Sequence, residues 1–192
     1  MRVSPLLDAV FLDRDGTVME DAHYIRSPHD VRLIPGAAAA VRKINEAGVL
    51  AIVVTNQSGI GRGLFTVDDY EKVRARFEEL LAAEGARVDA SYYCPDHPGA
   101  AAESDCRKPG TKMFRDAIRE FELDPDKVAY VGDRWRDVAA AKSLGGRPIM
   151  ISSPMTTEAD RDKAREERIE TTDSLATAVD MLFGLTPAAP RK

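Results

Sequence analysis

Two aspartates that directly follow a short apolar segment constrain this chain more than any other feature. The apolar segment is 9–12, and the sequence continues Asp13-Arg14-Asp15-Gly16-Thr17. Such a segment predicts a buried strand, and ligands of parallel sheets bind where the strands end. Gly16 permits a sharp turn, so both carboxylates would face one space, where they repel each other unless a cation relieves them. The pattern therefore predicts a site for Mg²⁺, which prefers oxygen ligands, whereas the alternative is a solvated loop.

Three further polar segments follow predicted strands or precede a predicted helix. Thr55-Asn56-Gln57-Ser58-Gly59 ends a strand at 49–54, and Gly132-Asp133-Arg134 ends another at 127–131. Arg107-Lys108-Pro109 precedes a predicted helix. Because strand ends of a parallel sheet lie along one edge, these segments are predicted to meet near Asp13. Asp137 is then a candidate to orient Lys108 or a metal-bound water.

Alternating strands and helices predict an α/β fold, with a parallel sheet covered by helices on both faces. The two other predicted strands span 88–93 and 148–151. Predicted helices span 37–47, 67–84, 111–121, 135–144 and 174–183, and 157–167 is predicted to be a solvated helix or loop. We expect a single domain over 1–192, with a folded core at about 6–184 and a disordered tail at 186–192.

Composition and charge bound the function. The chain has 192 residues, of which 44% are hydrophobic and 31% are charged, and no apolar run approaches the roughly 20 residues of a membrane span. No signal peptide is recognised, so we expect a cytoplasmic protein without a membrane partner. The net charge of −5 argues against a nucleic-acid partner. We expect a monomer that acts on a small molecule.

The four motifs, in this order, resemble those of the haloacid dehalogenase-like phosphatase superfamily, over about 6–183. That resemblance implies a three-layer Rossmann-like fold, and too little chain remains for a separate cap domain, so we expect an essentially capless member. It implies that Asp13 is the nucleophile and Asp15 the general acid and base. Lys108 and Thr55 would stabilise the transferring phosphoryl group. The Asp13 side chain, the Asp15 main-chain carbonyl and Asp133 would hold Mg²⁺.

Within that superfamily, the forms DRDGT, TNQSG and CRKP are similar to those of the D,D-heptose 1,7-bisphosphate phosphatases. The resemblance implies removal of the C7 phosphate of the sugar bisphosphate, for the synthesis of a nucleotide-activated heptose. It also implies a set of substrate-binding residues, which are Asp21, His23, Tyr24, Asn56, Gln57, Ser58, Arg107 and Arg134. Alternatives are a histidinol-phosphate phosphatase, another small-molecule phosphatase, a DNA 3′-phosphatase and, from a different class, a non-catalytic scaffold.

The same family carries a structural zinc on the segment before its third motif, in the pattern C-x-H and then C-x-C. Here the segment has Cys94, Asp96 at the family histidine, Ser104 at a family cysteine, and Cys106. Serine is a poor zinc ligand. Cys94, His97 and Cys106 could still supply three ligands, with Asp96 or Asp105 as a fourth. Our expectation is a metal-free loop with two reduced thiols, and a degenerate zinc site is the alternative.

Overall fold

Six parallel strands form the single sheet of the computed structural model, which describes residues 7–99 and 105–185. The strands are β1 (Ala9–Leu12), β2 (Leu50–Asn56), β3 (Ala90–Cys94), β4 (Val128–Gly132), β5 (Arg147–Ile151) and β6 (Glu170–Thr172). Their order is β3-β2-β1-β4-β5-β6. This is the doubly wound order, whose direction reverses between β1 and β4, where ligands of such sheets bind. The predicted α/β, Rossmann-like fold is confirmed.

Eight helices join these strands in the described residues. They are α1 (Ala37–Glu46), α2 (Ser58–Gly61), α3 (Val67–Ala83), α4 (Lys112–Glu120), α5 (Trp135–Val138), α6 (Ala141–Leu144), α7 (Glu158–Glu166) and α8 (Leu175–Leu182). Short 3-10 turns lie at Pro28–Asp30 and Pro125–Lys127. Two of the longer helices start at capping boxes: Thr66 and Asp69 form one at α3, and Thr157 and Asp160 form one at α7.

The two faces of the sheet carry separate apolar cores because successive side chains of a strand point to opposite faces. Val10 and Leu12 pack with α1, α3 and α8 on one face. Phe11 lies on the other face with α4, where its ring centroid is 5.3 Å from both Phe114 and Tyr130. All four residues of β1 are buried, which is typical of a central parallel strand.

Most predicted elements end within two residues of their observed bounds, with two corrections. The helix predicted at 135–144 is divided into α5 and α6, because the Lys142 and Ser143 amides bond to carbonyls three residues back rather than four. The sixth strand, β6, was missed. It has three residues, is largely exposed and lies at the sheet edge beside β5, so it carries no apolar pattern.

The connection from β1 to α1 is the longest stretch of the described residues without a strand or an α-helix. The connection from β1 to α1 contains one 3-10 turn and two isolated bridges, and no separate cap domain is formed there. The described residues contain no helix that is both long and apolar enough to cross a membrane. The predicted disordered tail at 186–192, and Ser104, lie outside the described residues.

Candidate active site

Asp13 and Lys108 form a buried ion pair at the centre of the switch point. β1 ends at Leu12, and Asp13 continues it by donating its amide to the Val131 carbonyl of β4. Lys108 Nζ lies 2.7 Å from Asp13 Oδ1, 2.8 Å from Asp137 Oδ1 and 2.7 Å from the Val54 carbonyl oxygen. Burial alone would lower the pKa of Lys108, but the two carboxylates outweigh it and raise the pKa above its usual value. Lys108 is therefore a fixed positive charge beside Asp13.

Asp133 lies directly after β4 and is held by residues that follow β5. Ser153 donates its hydroxyl to Asp133 Oδ2 at 2.7 Å, and Thr156 donates its hydroxyl to the Asp133 carbonyl oxygen at 2.8 Å. Burial raises the pKa of Asp133 to about 6, and the charge of Asp137 adds to this. Neither Ser153 nor Thr156 was predicted, although their place after a strand end was an available signal.

Three carboxylates of this site are close enough to hold one metal ion. Carboxylate oxygens of Asp13, Asp133 and Asp137 lie within 4.8 Å of one another, and all three residues are buried or nearly so. Burial raises the pKa of Asp13 well above its usual range, and Asp137 raises it further. Three carboxylates against the Lys108 ammonium leave excess negative charge, which a divalent cation would offset. The donor set is all oxygen, so the residues fit Mg²⁺.

The Asp15 carboxylate is not one of the three gathered carboxylates and has hydrogen-bond donors of its own. Arg14 donates to it from Nε and Nη2, with Nη2 3.0 Å from each oxygen, and Gln57 Nε2 donates at 2.9 Å. Thr55 Oγ1 lies 3.3 Å from Asp15 Oδ2. Arg14 is itself buried, with its guanidinium 5.5 Å from the centre of the Tyr70 ring. The sequence predicted that the main-chain carbonyl of Asp15 binds the metal. The side chain of Asp15 is held instead by Arg14, Gln57 and Thr55.

The second motif supports its neighbours as well as lining the cavity. The Asn56 side chain accepts from the Lys108 amide at 3.0 Å and donates to the Lys108 carbonyl at 3.2 Å. Gln57 donates to Thr55 Oγ1 at 3.0 Å in addition to Asp15. Both side chains were predicted to bind substrate, and in the structure Asn56 holds the Lys108 backbone while Gln57 holds the Asp15 carboxylate. Ser58 starts α2 and lines the cavity.

The loop after the first motif forms one side of a cavity of about 190 Å³. Asp21, His23 and Tyr24, which were predicted to bind substrate, all line it. Asp21 accepts from the His23 amide at 3.0 Å. His23 and Tyr24 have positive φ angles of 50° and 54°, and Tyr24 is 47% exposed, so this loop presents an aromatic side chain at the cavity mouth.

Arg107, Arg134 and Arg136 differ in their partners and in whether they line the cavity. Arg134 lines it, but its Nε donates to Asp160 at 2.7 Å. Arg107 is not among the lining residues and donates from Nη1 to the Asp96 carbonyl at 3.2 Å. Arg136, which sequence reasoning missed, also lines the cavity. The fourth motif indicates Asp133 and its neighbour Arg134, and nothing in its pattern marks the position three residues after the aspartate.

The cysteine segment gathers part of the predicted zinc donor set. Donor atoms of Cys94, Asp96 and Cys106 lie within 4.8 Å of one another. His97 is not part of that group, and its Nδ1 is 2.9 Å from the Pro98 carbonyl oxygen. The Asp105 carboxylate is paired with Arg115 and accepts from the Thr111 amide. Burial and the neighbouring Cys94 raise the pKa of Cys106 to about 12.

A buried aspartate and lysine at the switch point, beside a carboxylate cluster, define the haloacid dehalogenase-like class of hydrolases. The family model described as HAD-hydrolase-like matches residues 105–178. The curated D-glycero-β-D-manno-heptose-1,7-bisphosphate 7-phosphatase of Rhodopseudomonas palustris is 36% identical over 147 residues, covering 74% of this chain and 82% of that protein. The protein of the same name from Photorhabdus laumondii is 36% identical over 163 residues, covering 81% of this chain and 87% of that protein.

A solved structure is similar throughout. D,D-heptose 1,7-bisphosphate phosphatase from B. bronchiseptica, complexed with magnesium and phosphate, superimposes with a TM-score of 0.80 at 30% identity, covering 92% of this chain and 98% of that chain. The chain described here belongs to the D-glycero-D-manno-heptose-1,7-bisphosphate 7-phosphatase family of haloacid dehalogenase-like enzymes.

Proposed function

We propose that this chain is a Mg²⁺-dependent phosphatase that removes the C7 phosphate of D-glycero-D-manno-heptose 1,7-bisphosphate. The observation that carries the proposal is the buried Lys108 ammonium between Asp13 and Asp137, beside Asp133 at the switch point of the sheet. Family membership supports the substrate, because relatives at 36–38% identity bear that name. The product would feed the synthesis of a nucleotide-activated heptose.

Asp13 is the proposed nucleophile. One of its carboxylate oxygens forms a bond to phosphorus while the bond from phosphorus to the C7 oxygen breaks, which leaves an aspartyl-phosphate. Lys108 stabilises the negative charge of the transferring phosphoryl group, because it is buried and already fixed 2.7 Å from Asp13. Water then attacks the phosphorus while the bond from phosphorus to the Asp13 oxygen breaks, which releases inorganic phosphate and regenerates the Asp13 carboxylate.

Asp15 is the proposed general acid and base. It protonates the leaving C7 oxygen in the first step and takes a proton from the attacking water in the second. Arg14, Thr55 and Gln57 all donate to the Asp15 carboxylate in this structure. These donors hold the carboxylate beside the nucleophile, and Asp15 must exchange some of them for a proton before it acts as an acid.

Mg²⁺ would be held by Asp13 and Asp133, with Asp137 and the Asp15 carbonyl as further oxygen donors. When bound, it would screen the repulsion between the phosphate and the carboxylates. Ser153 and Thr156 fix Asp133 for this purpose through its side chain and its carbonyl. EDTA is expected to abolish turnover and added Mg²⁺ to restore it.

A substrate screen tests the proposed function. Purified protein with Mg²⁺ is assayed for phosphate release from the heptose bisphosphate in both anomers, histidinol phosphate and 3′-phosphorylated DNA. We expect kcat/KM to be highest for the heptose bisphosphate. Preference for histidinol phosphate or for DNA would contradict the proposal, and no turnover of any phosphate ester would favour the scaffold alternative.

Asp13→Asn tests the covalent step. The amide is a far weaker nucleophile of nearly the same size, so the variant should fold normally and lose turnover. Circular dichroism and thermal unfolding serve as the control for folding. Substantial activity in Asp13→Asn would contradict the aspartyl-phosphate.

The oligomeric state, the absence of macromolecular partners and the state of the cysteine segment are also proposals. We propose a cytoplasmic monomer without a nucleic-acid or membrane partner, and light scattering after size-exclusion chromatography tests the oligomeric state. The cysteine segment offers three gathered donors, whereas a closed structural zinc site uses four. We therefore keep the metal-free loop as the expectation. Elemental analysis that finds about one zinc per chain would contradict it.

A further inference from the structure

A second cavity lies beside the active site, between the loop that follows β1 and the starts of α1 and α8. Its volume is about 470 Å³, whereas the active-site cavity measures about 190 Å³. Cavities that hold small molecules usually measure roughly 300–1,000 Å³, so this one is large enough for a ligand. We call it the α1/α8 cavity, and its wall includes Thr17, Glu20, Ile34, Asp173 and Leu175.

Backbone hydrogen bonds hold the walls of the α1/α8 cavity in place. The Ile34 amide donates to the Val18 carbonyl at 3.0 Å, which fixes the loop after β1 against the start of α1. The Ser152 amide donates to the Thr172 carbonyl at 2.7 Å, which joins the ends of β5 and β6. These bonds lie within the protein itself, so the cavity is largely preformed, as small-molecule sites usually are.

The charged side chains that line the α1/α8 cavity are all carboxylates. They belong to Glu20, Asp21 and Asp173, and no described lysine, arginine or histidine lines it. The Asp21 carboxylate lies 3.9 Å from His23 Nδ1. Asp173 accepts from the Thr177 hydroxyl at 3.0 Å. The Glu20 carboxylate has no ion pair or hydrogen bond in the described part of the chain, so one negative charge of the wall is left without a partner.

The charge of the α1/α8 cavity favours a cation. The starts of α1 and α8 contribute about half a positive charge each, which is less than three carboxylates carry. A cleft that is lined by charges of one sign concentrates ions of the other sign. The active-site cavity differs in this respect, because arginines and a lysine line it.

A buried hydroxyl group in the same wall lacks a hydrogen-bond partner. Thr17 is 2% exposed, and its Oγ1 has neither a donor nor an acceptor among the described residues. Buried polar groups in folded proteins nearly always have a partner, so this hydroxyl indicates that a ligand group completes the wall. A hydroxyl oxygen accepts hydrogen bonds from an ammonium group, and the side chains of Ile34, Ile151 and Leu175 offer apolar surface beside it.

We propose that the α1/α8 cavity binds a small organic cation in which a primary ammonium group is attached to an apolar body. The ammonium group donates to the Thr17 hydroxyl and pairs with the Glu20 carboxylate. The apolar body packs between the starts of α1 and α8. The inference does not depend on the proposed phosphatase activity.

Three probes of similar shape and different charge test this site. They are phenethylamine, which is a cation at neutral pH, 2-phenylethanol, which is neutral, and phenylacetate, which is an anion. Each is titrated into the protein, and the chemical shifts of the backbone amides give both the Kd and the place of binding. We expect phenethylamine to bind with a Kd on the order of 1 mM and to shift the amides of Thr17, Ile34 and Leu175 most. The other two probes should bind at least about fivefold more weakly.

Three variants locate the bound cation through residues that line the α1/α8 cavity but not the active-site cavity. Glu20→Gln removes the carboxylate, and Thr17→Val removes the hydroxyl at nearly constant shape. Each should raise the Kd of phenethylamine by about three- to tenfold. Ala176→Leu fills the cavity from an exposed position and should abolish binding. Glu46→Gln, at the opposite end of α1, removes a carboxylate outside the cavity and should leave the Kd unchanged.

Several results would overturn the inference. They are equal affinity for the three probes, no binding of phenethylamine at any soluble concentration, and shift changes confined to the active-site cavity. An unchanged Kd in Glu20→Gln or in Ala176→Leu would also contradict it. Thermal unfolding shows whether each variant is folded, and Glu20→Gln alters an exposed side chain, so its result stands even if Thr17→Val fails to fold.

Discussion

Among single residues, Arg14 links the folding of the first motif to its chemistry. It lies between the two aspartates in sequence, is 2% exposed and grips Asp15 through Nε and Nη2. A buried arginine is rare unless it is paired, and here the pairing also orients Asp15, the proposed general acid. The cost of burying the charge is offset by Asp15 and by the Tyr70 ring beneath it.

Arg14→Met should weaken both stability and catalysis. It leaves Asp15 with Thr55 and Gln57 as donors, and we expect a loss of about 2 kcal/mol in the free energy of unfolding, together with a lower kcat. Urea unfolding and p-nitrophenyl phosphate turnover measure the two effects. Arg14→Lys keeps the charge but cannot form the bidentate contact, so its stability and kcat should lie between those of wild type and Arg14→Met. Wild-type stability and kcat in Arg14→Met would refute this role.

Asp133 should make the metal-free protein less stable as pH rises. Its pKa is about 6 in the folded protein against an ordinary value of 3.8, so the folded state binds more protons between these values. The free energy of unfolding therefore falls across that window, by about 3 kcal/mol from this residue. Urea unfolding in EDTA from pH 4 to 7 should show a pH-dependent difference between wild type and Asp133→Asn. Parallel curves would contradict the raised pKa.

At the scale of elements, the turn after β1 needs a glycine at position 16 for two reasons. Gly16 has a φ of +87°, which disfavours other residues, and a Cβ there would lie 2.5 Å from Asp133 Oδ2. The turn must therefore be free of a side chain so that the ends of β1 and β4 can approach each other.

Gly16→Ala and Gly36→Ala separate those two requirements. Gly36 has a similar φ of +83°, but a Cβ there would meet nothing within 4 Å. Both variants should lose roughly 1 kcal/mol of stability from backbone strain. Gly16→Ala should in addition lose at least about tenfold in kcat and bind Mg²⁺ more weakly, because the Asp133 carboxylate must move. Equal activity of the two variants would contradict the close approach.

The elements that sequence predicted well are those whose pattern reflects burial. β1 and β4 are continuous apolar runs, and α3 combines a capping box with an apolar stripe, so local signals agree with the fold. β6 is stabilised by pairing with β5 at the sheet edge, which leaves no trace in its own three residues. The division of α5 from α6 depends on hydrogen bonds that no periodicity encodes.

The positions of the motif residues were predictable, but their pairing was predictable only in part: Asp137 was predicted to orient Lys108 and contacts it at 2.8 Å. Asp13, Lys108 and Asp133 follow or flank predicted elements, and the topology brings them together. Which cation meets which carboxylate depends on side-chain direction. The sequence therefore favoured Arg134, whereas the structure pairs it with Asp160 and leaves Arg136 facing the cavity.

Across the whole molecule, the site depends on both cores of the sheet. β1, β2 and β4 contribute side chains to the core on each face, and the same strands end at Asp13, Thr55 and Asp133. Because the two cores share these strands, unfolding the core on one face would also disrupt the packing on the other face. The predicted single domain should therefore unfold as one cooperative unit.

Two probes of equilibrium unfolding test that cooperativity. The fluorescence of Trp135 reports on the edge of the sheet near the site. The Trp135 Nε1 donates to Glu167 at 2.9 Å, and Lys163 Nζ lies 3.7 Å from the centre of its ring. Circular dichroism reports on the whole chain. We expect the urea transitions of both signals to coincide, and Mg²⁺ at 100 times its Kd to stabilise both by about 2.7 kcal/mol. Asp133→Asn should abolish that shift. A tryptophan transition at lower urea would mean that α5 and α7 unfold separately from the sheet.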